Sequence, residues 1–272
     1  MKEVVINSFE QLQDLVFATC WDEKTQRYRN NFVYRGVPDA SFALTSKLSR
    51  ICGHDLSLEG SIIRSFKKYG YADVKDCATF WQVLAMGQHY GLPTRLLDWT
   101  YSPLVAAHFA TEDIFMYDRD GAIYCMDMCE RKKDLPECLS QELTMTRAQS
   151  FTVTMLERHA TNLEEFEALS DKPFFIFYEP ASQSNRMSNQ YALFSMCSKK
   201  EYSIEDLIDE NDTSLYKIII PKNVKLEIRD KLDYINISER LIYPGLDGIC
   251  SWITRRYADI GRLYNCHNKG DL

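Results

Sequence analysis

The sequence lacks the motifs that identify many nucleotide-binding and hydrolytic enzymes. It has no glycine-rich phosphate loop, no Gly-x-Ser-x-Gly elbow and no His-Glu-x-x-His pair. These motifs build, respectively, a phosphate cradle, an exposed serine nucleophile and a zinc site. Their absence excludes the common P-loop, α/β-hydrolase and zinc-peptidase classes, so any site must be built from other residues.

Cysteine pairs and long apolar runs are also missing. None of the nine cysteines forms a Cys-x-x-Cys pair and their number is odd, so we expect reduced thiols, no structural disulfide and no metal centre. There is no run of about 18 apolar residues. The first residues, MKEVVINSFEQLQDLVF, do not have the pattern of a signal peptide. We therefore expect a cytoplasmic protein with no membrane partner.

Basic residues are outnumbered by acidic ones, which gives a formal net charge of −7. A chain of this charge has no general electrostatic attraction to nucleic acid. Hydrophobic residues make up 45% of the chain and aromatic residues 12%, which is enough for a folded core and argues against disorder.

Helix and strand patterns are both present along the chain. Ser8 precedes an apolar helical pattern, and Ser102 and Pro103 begin the helical segment SPLVAAHFATED. FVYRG, GAIYCMDM and KPFFIFYEP have the composition of strands. The order predicts an α+β fold in one domain, residues 1–272, with a more helical part over about 1–95 and a sheet-rich part over about 96–272.

Three polar segments lie among these elements. The first is FVYRG, in which alternation places Tyr34 and Arg35 on opposite faces of a strand. The Arg35 fork suits a phosphate or carboxylate, and Gly36 allows a turn or a close approach of a ligand to the backbone. The alternative is that Arg35 is paired with a buried acid inside the fold.

The second segment is GQHYGLPTRLLDWTYSPLVAAHFA, residues 87–110. Its helix N-terminus offers an anion site, Trp99 is able to stack on a planar ring, and Asp98 and Thr100 offer hydrogen bonds to one. The alternative is an internal ion pair between Arg95 and Asp98, with Trp99 in the core. The third segment is NRMSNQYALF, residues 185–194, a functional loop or simply a polar entry into a strand.

Taken together, these three segments resemble the FRG-domain family, which is named for its (Phe/Tyr)-Arg-Gly motif. A more distant resemblance is to the ADP-ribosyltransferases, which share the order of an aromatic-Arg-Gly strand, a Ser/Thr-rich strand end before a helix, and a later strand with Glu or Gln. This second resemblance implies a split, mostly antiparallel β-sheet flanked by helices, with NAD as the substrate held in a cleft.

The resemblance also implies roles for particular residues. The catalytic set is Gln190, Arg35 and Asp98. The residues expected to bind NAD are Tyr34, Gly36, Gln88, His89, Thr94, Arg95, Trp99, Thr100, Ser102 and Arg186. Gln190 stands where those enzymes usually carry Glu, and an uncharged amide stabilises a developing cation less than a carboxylate does. Glu179 is a candidate to replace the missing acid.

Two functions of different classes follow from this sequence. The first is an NAD-dependent ADP-ribosyltransferase or NAD-glycohydrolase, in the setting of a bacterial toxin or a phage-defence effector, with a target macromolecule that the sequence does not specify. The second is a non-catalytic module that binds a nucleotide or a partner. Both predict that Arg35, Gln88, Arg95, Asp98, Arg186 and Gln190 converge on one cleft.

Overall fold

The computed structural model describes residues 1–18, 21–23, 25–53, 56–180, 185–209 and 212–261. Within these residues the chain forms ten β-strands. They are β1 (Lys2–Val5), β2 (Trp21–Asp22), β3 (Arg27–Tyr28), β4 (Phe32–Val37), β5 (Leu96–Thr100), β6 (Gly121–Asp127), β7 (Phe151–Thr152), β8 (Phe175–Glu179), β9 (Ala192–Cys197) and β10 (Leu215–Ile220).

The same part of the chain contains thirteen α-helices. They are α1 (Phe9–Phe17), α2 (Lys47–Cys52), α3 (Glu59–Tyr69), α4 (Tyr71–Val74), α5 (Phe80–His89), α6 (Pro103–Thr111), α7 (Glu137–Thr146), α8 (Val153–Glu157), α9 (Leu163–Glu167), α10 (Asn185–Asn189), α11 (Lys222–Tyr234), α12 (Glu239–Ile242) and α13 (Leu246–Arg256). Short 3₁₀ segments occur at Leu56–Leu58, Ile114–Met116, Glu130–Asp134 and Glu205–Leu207. Among the described residues, no helix has both the length and the apolarity needed to span a membrane.

Eight of the strands form one mixed sheet in the order β1-β10-β6-β4-β5-β9-β8-β7. The outermost pairs, β1 with β10 and β7 with β8, are parallel, and the five pairs between them are antiparallel. The α+β class with a mostly antiparallel sheet and flanking helices is therefore confirmed. Strands from the first 95 residues, β1 and β4, share this sheet with strands from the rest of the chain.

The sheet opens between β4 and β5. These two strands are paired at a single position, Tyr34 with Thr100. By contrast, β6 follows β4 over six residue pairs and β9 follows β5 over five. Beyond that one pair β4 and β5 separate, and backbone groups along the gap are left for side chains or a ligand to contact.

Two groups of helices cover the same face of the sheet on either side of this opening. Helices α1, α6 and α11 pack on β4, β6 and β10, and helices α5, α7, α8 and α9 pack on β5, β8 and β9. The groups share a face because the cross-strand partners Tyr34 and Thr100 point the same way, as do alternate residues of a strand. The gap between β4 and β5 therefore lies at the base of a groove between α5 and α6.

Helix α6 begins where the sequence predicts it. The Ser102 hydroxyl accepts the Val105 N–H at 3.3 Å, and Pro103 occupies the first helical turn. The helix packs so closely on β4 that a Cβ added to Gly36 would lie 1.8 Å from the Ala106 carbonyl oxygen. Gly36 is thus required by helix packing, which neither interpretation from the sequence had included.

The third polar segment differs from both sequence interpretations. Residues 185–189 form the short helix α10 rather than a loop, and Tyr191 then adopts a positive φ of 48° before β9 begins. The helix places Arg186 and Met187 at the groove, rather than along an extended approach to the strand.

The described cysteines are free thiols. They are Cys52, Cys77, Cys125, Cys129, Cys138, Cys197 and Cys250. Burial raises the pKa of the Cys77 and Cys129 thiols, which makes them poor nucleophiles at neutral pH. The two other cysteines of the sequence, Cys20 and Cys266, lie outside the described residues.

Candidate functional site

An open cleft of about 380 Å³ occupies the groove over the gap between β4 and β5. Its walls come from β4, β5, the C-terminal ends of α5 and α6, and α10. Ten of the thirteen residues that the sequence proposes line it: Tyr34, Arg35, Gly36, Gln88, His89, Asp98, Trp99, Thr100, Arg186 and Gln190. Three do not: Thr94, Arg95 and Ser102.

Arg35 extends from β4 into the gap. Its Nη1 donates to the backbone carbonyl of Asp98 at 2.7 Å and lies 3.8 Å from the Asp98 carboxylate. Its Nε is buried and has no hydrogen-bond partner among the described residues. Burial lowers the pKa of Arg35 from its ordinary value, which the charge of Asp98 opposes. A guanidinium has five donors, so this cation is held in place while part of its donor set is unused.

Asp98 is held by a short hydrogen-bonded chain. The Thr94 hydroxyl donates to the Gln88 amide oxygen at 2.6 Å, which leaves the amide nitrogen to donate to the Asp98 carboxylate at 2.9 Å. Thr94 therefore orients Gln88 from behind instead of contacting a ligand. The Asp98 side chain is largely exposed to the cleft, and a carboxylate accepts about four hydrogen bonds.

Arg95 does not belong to the cleft, and the prediction that places it there is wrong. Its Nε and Nη2 contact the Glu59 carboxylate at 2.7 and 2.5 Å, and Nη2 lies 2.7 Å from Glu167. Its Nη1 donates to the Ser198 carbonyl. Arg95 and Glu59 are both buried. The expected ion pair between Arg95 and Asp98 is also absent, because these two residues serve different networks.

Trp99 is a core residue, as the alternative interpretation held. Its indole is buried, donates to the Ser195 hydroxyl at 2.7 Å and meets the Phe177 ring edge to face at 5.6 Å. Because Asp98 points into the cleft, strand alternation sends the next side chain to the opposite face. Although Trp99 borders the cleft, only 2% of the residue is exposed, which leaves no open ring face on which a ligand could stack.

The N-terminus of α6 is likewise not an anion site in the cleft. Ser102 uses its hydroxyl as the helix cap, and the cleft touches the other end of the helix, at Phe109 and Glu112. Thr100 has a structural contact, because its hydroxyl donates to the Gln190 carbonyl at 2.7 Å and so joins β5 to the end of α10.

The side-chain nitrogen of Gln190 has a structural role. The amide donates to the Ile242 carbonyl at 3.3 Å, and the neighbouring Asn189 amide donates to the Leu241 carbonyl at 2.7 Å. Both contacts fix α10 on the last carbonyls of α12, which have no partner within that short helix. The position at which the resemblance implies catalysis is thus occupied by a neutral side chain that is already engaged.

Sequence reasoning missed a carboxylate at the far wall and the tyrosine that donates to it. Glu112 lines the cleft at the end of α6. The Tyr243 hydroxyl donates to its carboxylate at 2.9 and 3.2 Å. The Arg186 guanidinium lies over the Tyr243 ring, 4.8 Å from its centre. A pattern signal for Glu112 did exist, since His108 and Glu112 are spaced i, i+4 on a predicted helix.

His89 stands at the end of α5, beside the cleft. Burial lowers the pKa of His89 below its ordinary 6.5, and the positive charge of Arg186 lowers it further, against the opposing effect of Asp98. The imidazole is therefore neutral at pH 7 and is able to act as a base or as a hydrogen-bonding group.

Glu179, the candidate substitute acid, does not line the cleft. It ends β8 and accepts hydrogen bonds from the Tyr101 hydroxyl at 2.5 Å and the Ser150 hydroxyl at 2.6 Å. Its neighbour Tyr178 is paired with Phe194, which lines the cleft. Alternation therefore directs Glu179 to the other face of the sheet.

The cleft consequently combines two cations with a set of carboxylates. Arg35 and Arg186 suit phosphates, whereas Asp98, Glu112 and Asp113 suit hydroxyl groups or a positive centre. Apolar surface comes from Phe109, Met187 and Phe194. Within the described part of the chain, no group of three His, Cys, Asp or Glu side chains could hold a metal ion.

Comparison with known proteins agrees with the motifs of the first two polar segments. Searches of curated proteins and of solved structures gave no significant match. The model of one family, the FRG domain, matches residues 30–119. That range contains β4 with Arg35, the end of α5 with Gln88, β5 with Asp98, and α6 with Glu112. The part of the chain that matches the FRG domain, residues 30–119, therefore contributes both sides of the gap in the sheet.

Proposed function

We propose that the cleft binds NAD and that the protein is an NAD-consuming enzyme, an ADP-ribosyltransferase or NAD-glycohydrolase with an ADP-ribosyltransferase-like split sheet. One observation carries the proposal. Arg35, Gln88, Asp98 and Arg186, which are far apart in sequence, meet at one open cleft in the gap of the sheet. Charged groups brought together around solvent-accessible space are typical of a ligand site rather than of a scaffold.

The groups of the cleft match the chemical parts of a dinucleotide. Arg35 has a buried Nε without a partner, and it would bind one phosphate while Arg186 binds the other. Phe109, Met187 and Phe194 would contact a flat ring. Asp98, which Gln88 orients, would accept ribose hydroxyls. The volume of about 380 Å³ lies within the ordinary range for ligand pockets of roughly 300–1,000 Å³.

The reaction breaks the bond between nicotinamide and ribose. Nicotinamide leaves as a neutral molecule with the bonding electron pair, and its positive charge passes to the ribose. A hydroxyl, amine or water then forms a bond to the same carbon and loses one proton. His89, neutral at pH 7, is a base close enough to the cleft to take that proton, and the carboxylates stabilise the transient positive charge.

The proposal is tested by incubating the purified protein with NAD labelled in the adenosine part, together with total cell protein and RNA. We expect nicotinamide release, with the label retained on an acceptor or on free ADP-ribose. Arg35→Ala should abolish it. The matched control is Arg158→Ala, which removes an exposed arginine paired with Glu142 away from the cleft and should leave release unchanged. Expression that arrests growth in the wild type alone would support a toxin or phage-defence role.

A second function is favoured by one specific contact. The Gln190 amide is neutral and bound to the Ile242 carbonyl, so the residue expected to assist bond cleavage is not available for it. A module that binds NAD or another nucleotide without cleaving it would fit this contact. Tight binding of NAD with no nicotinamide release would select this second function over the first.

A further inference from the structure

Glu112 is a carboxylate of the cleft that two buried or half-buried side chains, Tyr243 and His108, contact from within the fold. It terminates α6, and 27% of its side chain is exposed, on the wall that lines the cleft. The Tyr243 hydroxyl donates to it at 2.9 Å, and His108 Nε2 lies 3.0 Å from its Oε2. The Tyr243 hydroxyl therefore holds this carboxylate by hydrogen bonds, whereas His108 Nε2 lies against it without forming one.

The protonation of His108 is fixed by its other neighbour. The ring is fully buried, and its Nδ1 lies 2.6 Å from Arg229 Nη1. An arginine only donates hydrogen bonds, so Nδ1 is the acceptor and the proton of the neutral ring is on Nε2, the nitrogen near Glu112. Arg229 is itself buried and held by Asp233 and the Ile237 carbonyl. The tautomer is thus set by a rigid group behind it.

Tyr243 is also locked as a donor. Burial raises the pKa of its hydroxyl above the ordinary value, and the nearby charge of Glu112 raises it further. The hydroxyl consequently stays protonated, and able to donate, at neutral pH. The ring of Tyr243 carries the Arg186 guanidinium on its face, so one side chain positions both an acid and a cation of the cleft.

Glu112 still has acceptor capacity on the cleft side. A carboxylate offers about four acceptor sites, and the Tyr243 hydroxyl occupies only part of them. Asp98, by comparison, accepts a hydrogen bond from Gln88 and lies 3.8 Å from the Arg35 cation, and Gln190 has no carboxylate. Of the three, Glu112 is the carboxylate that combines an orientation set by Tyr243 with open acceptor sites away from Arg35.

We propose that Glu112 is a catalytic carboxylate of this cleft, which accepts a ribose hydroxyl and stabilises the positive charge that the sugar gains as nicotinamide leaves, while Tyr243 acts as its positioning residue. This inference rests on the proposed NAD-consuming function. Glu112 takes no proton in this step. It supplies the negative charge that the neutral Gln190 lacks.

The experiment compares Glu112→Gln with Glu142→Gln. Both remove one carboxylate charge from a glutamate that lies near a histidine, and Glu142, 3.3 Å from His159 Nε2, is not part of the cleft. The control keeps an acceptor for the Arg158 guanidinium, since the Gln amide oxygen also accepts hydrogen bonds. Nicotinamide release, NAD affinity by calorimetry and the melting temperature are measured for each. We expect Glu112→Gln to lower kcat by about 100-fold or more, the range for loss of one charge-stabilising group, with NAD affinity nearly unchanged. Glu142→Gln should turn over NAD like the wild type.

Two further variants separate a catalytic role from a structural one. Glu112→Asp keeps the charge and should restore part of the turnover lost in Glu112→Gln. Tyr243→Phe keeps the ring under Arg186 but removes the hydroxyl, and should lower kcat by less than Glu112→Gln without altering KM. If Glu112→Gln does not fold, the Tyr243→Phe result decides the question.

Several outcomes would overturn the inference. Full turnover in Glu112→Gln would do so, as would equal losses of affinity and turnover, which would make Glu112 a binding group only. Failure of the proposed function is seen separately, in the wild type. If the wild-type protein binds NAD without releasing nicotinamide, or does not bind NAD, the proposed enzymatic function fails. The catalytic role of Glu112 then fails with it, whatever the variants show.

Discussion

Two arginines of this chain provide a matched comparison between a ligand-binding cation and a structural one. Arg35 lines the cleft with a side chain that is 18% exposed, and its carboxylate neighbour Asp98 is 58% exposed. Arg95 is 5% exposed, and its partner Glu59 is 3% exposed. Replacing each arginine by alanine removes the same side chain from two very different surroundings.

The expected losses of stability follow from these surroundings. Arg95→Ala leaves the Glu59 carboxylate buried without its partner, which costs about 3–5 kcal/mol. For a chain of this size that corresponds to a fall in melting temperature of roughly 6–20 °C. Arg35→Ala removes one hydrogen bond to a carbonyl, about 1 kcal/mol, and a loose, solvent-screened ion pair worth at most about 1 kcal/mol. Its melting temperature should fall by a few degrees.

The affinity for NAD, measured by calorimetry, should change in the opposite order: Arg35→Ala should lose more affinity than Arg95→Ala. Loss of a charge-assisted hydrogen bond to a phosphate costs about 1.5–3 kcal/mol, so Arg35→Ala should bind NAD at least about tenfold more weakly. Arg95→Ala, studied well below its melting temperature, should bind NAD like the wild type. If both variants lose the same stability, or if Arg35→Ala binds NAD normally, the assignment of the two arginines is refuted.

Three further outcomes are expected. Gly36→Ala should lower the free energy of unfolding by at least the ~1–3 kcal/mol of an overpacked core, because the new Cβ overlaps the Ala106 carbonyl; wild-type stability would contradict this. Trp99→Phe should destabilise the fold by about 1–3 kcal/mol, since the Ser195 hydroxyl loses its donor, while NAD affinity stays the same; weaker binding would restore a stacking role. Burial lowers the pKa of Lys225 from 10.5 to about 8, so the unfolded chain binds more protons between those values. As the pH rises from about 8 to 10.5, the free energy of unfolding of the wild type should therefore increase relative to that of Lys225→Met. If urea unfolding gives the same difference between the two proteins at both pH values, the prediction is wrong.

Local patterns of the sequence were sufficient for the elements around the cleft. The cap at Ser102 and the proline after it define the start of α6, and the alternation of FVYRG defines β4. The helix cap and the strand alternation depend on neighbours within a few residues, so they can be predicted from the sequence alone. The expectation that Arg35, Asp98 and Arg186 meet came from the resemblance in the order of segments, and the cleft contains all three.

The errors at this site have two physical origins. Arg95 is paired with Glu59 and Glu167, partners far away in the chain that no local pattern identifies. The placement of Trp99 was different, because strand alternation directs the side chains of Asp98 and Trp99 to opposite faces of the sheet, and the Trp99 indole is buried. A strict application of the two-residue period of β5 would have sent Trp99 to the core.

Glu112 was missed for a third reason. The resemblance directed attention to a late strand and to Gln190, whereas the supported carboxylate lies at the end of α6. Of the residues that contact it, His108 lies on the same helix, but Tyr243 lies more than a hundred residues later in the chain. Only the fold brings Tyr243 to Glu112. The i, i+4 spacing of His108 and Glu112 was the one local indication.

The central claim is that the gap between β4 and β5 is an NAD site, and a crystal structure with a non-cleavable NAD analogue tests it most directly. We expect the pyrophosphate within hydrogen-bonding distance of Arg35 or Arg186, and the ribose next to nicotinamide within reach of the Glu112 carboxylate. An empty cleft at millimolar analogue, or an analogue bound elsewhere on the protein, would contradict the account.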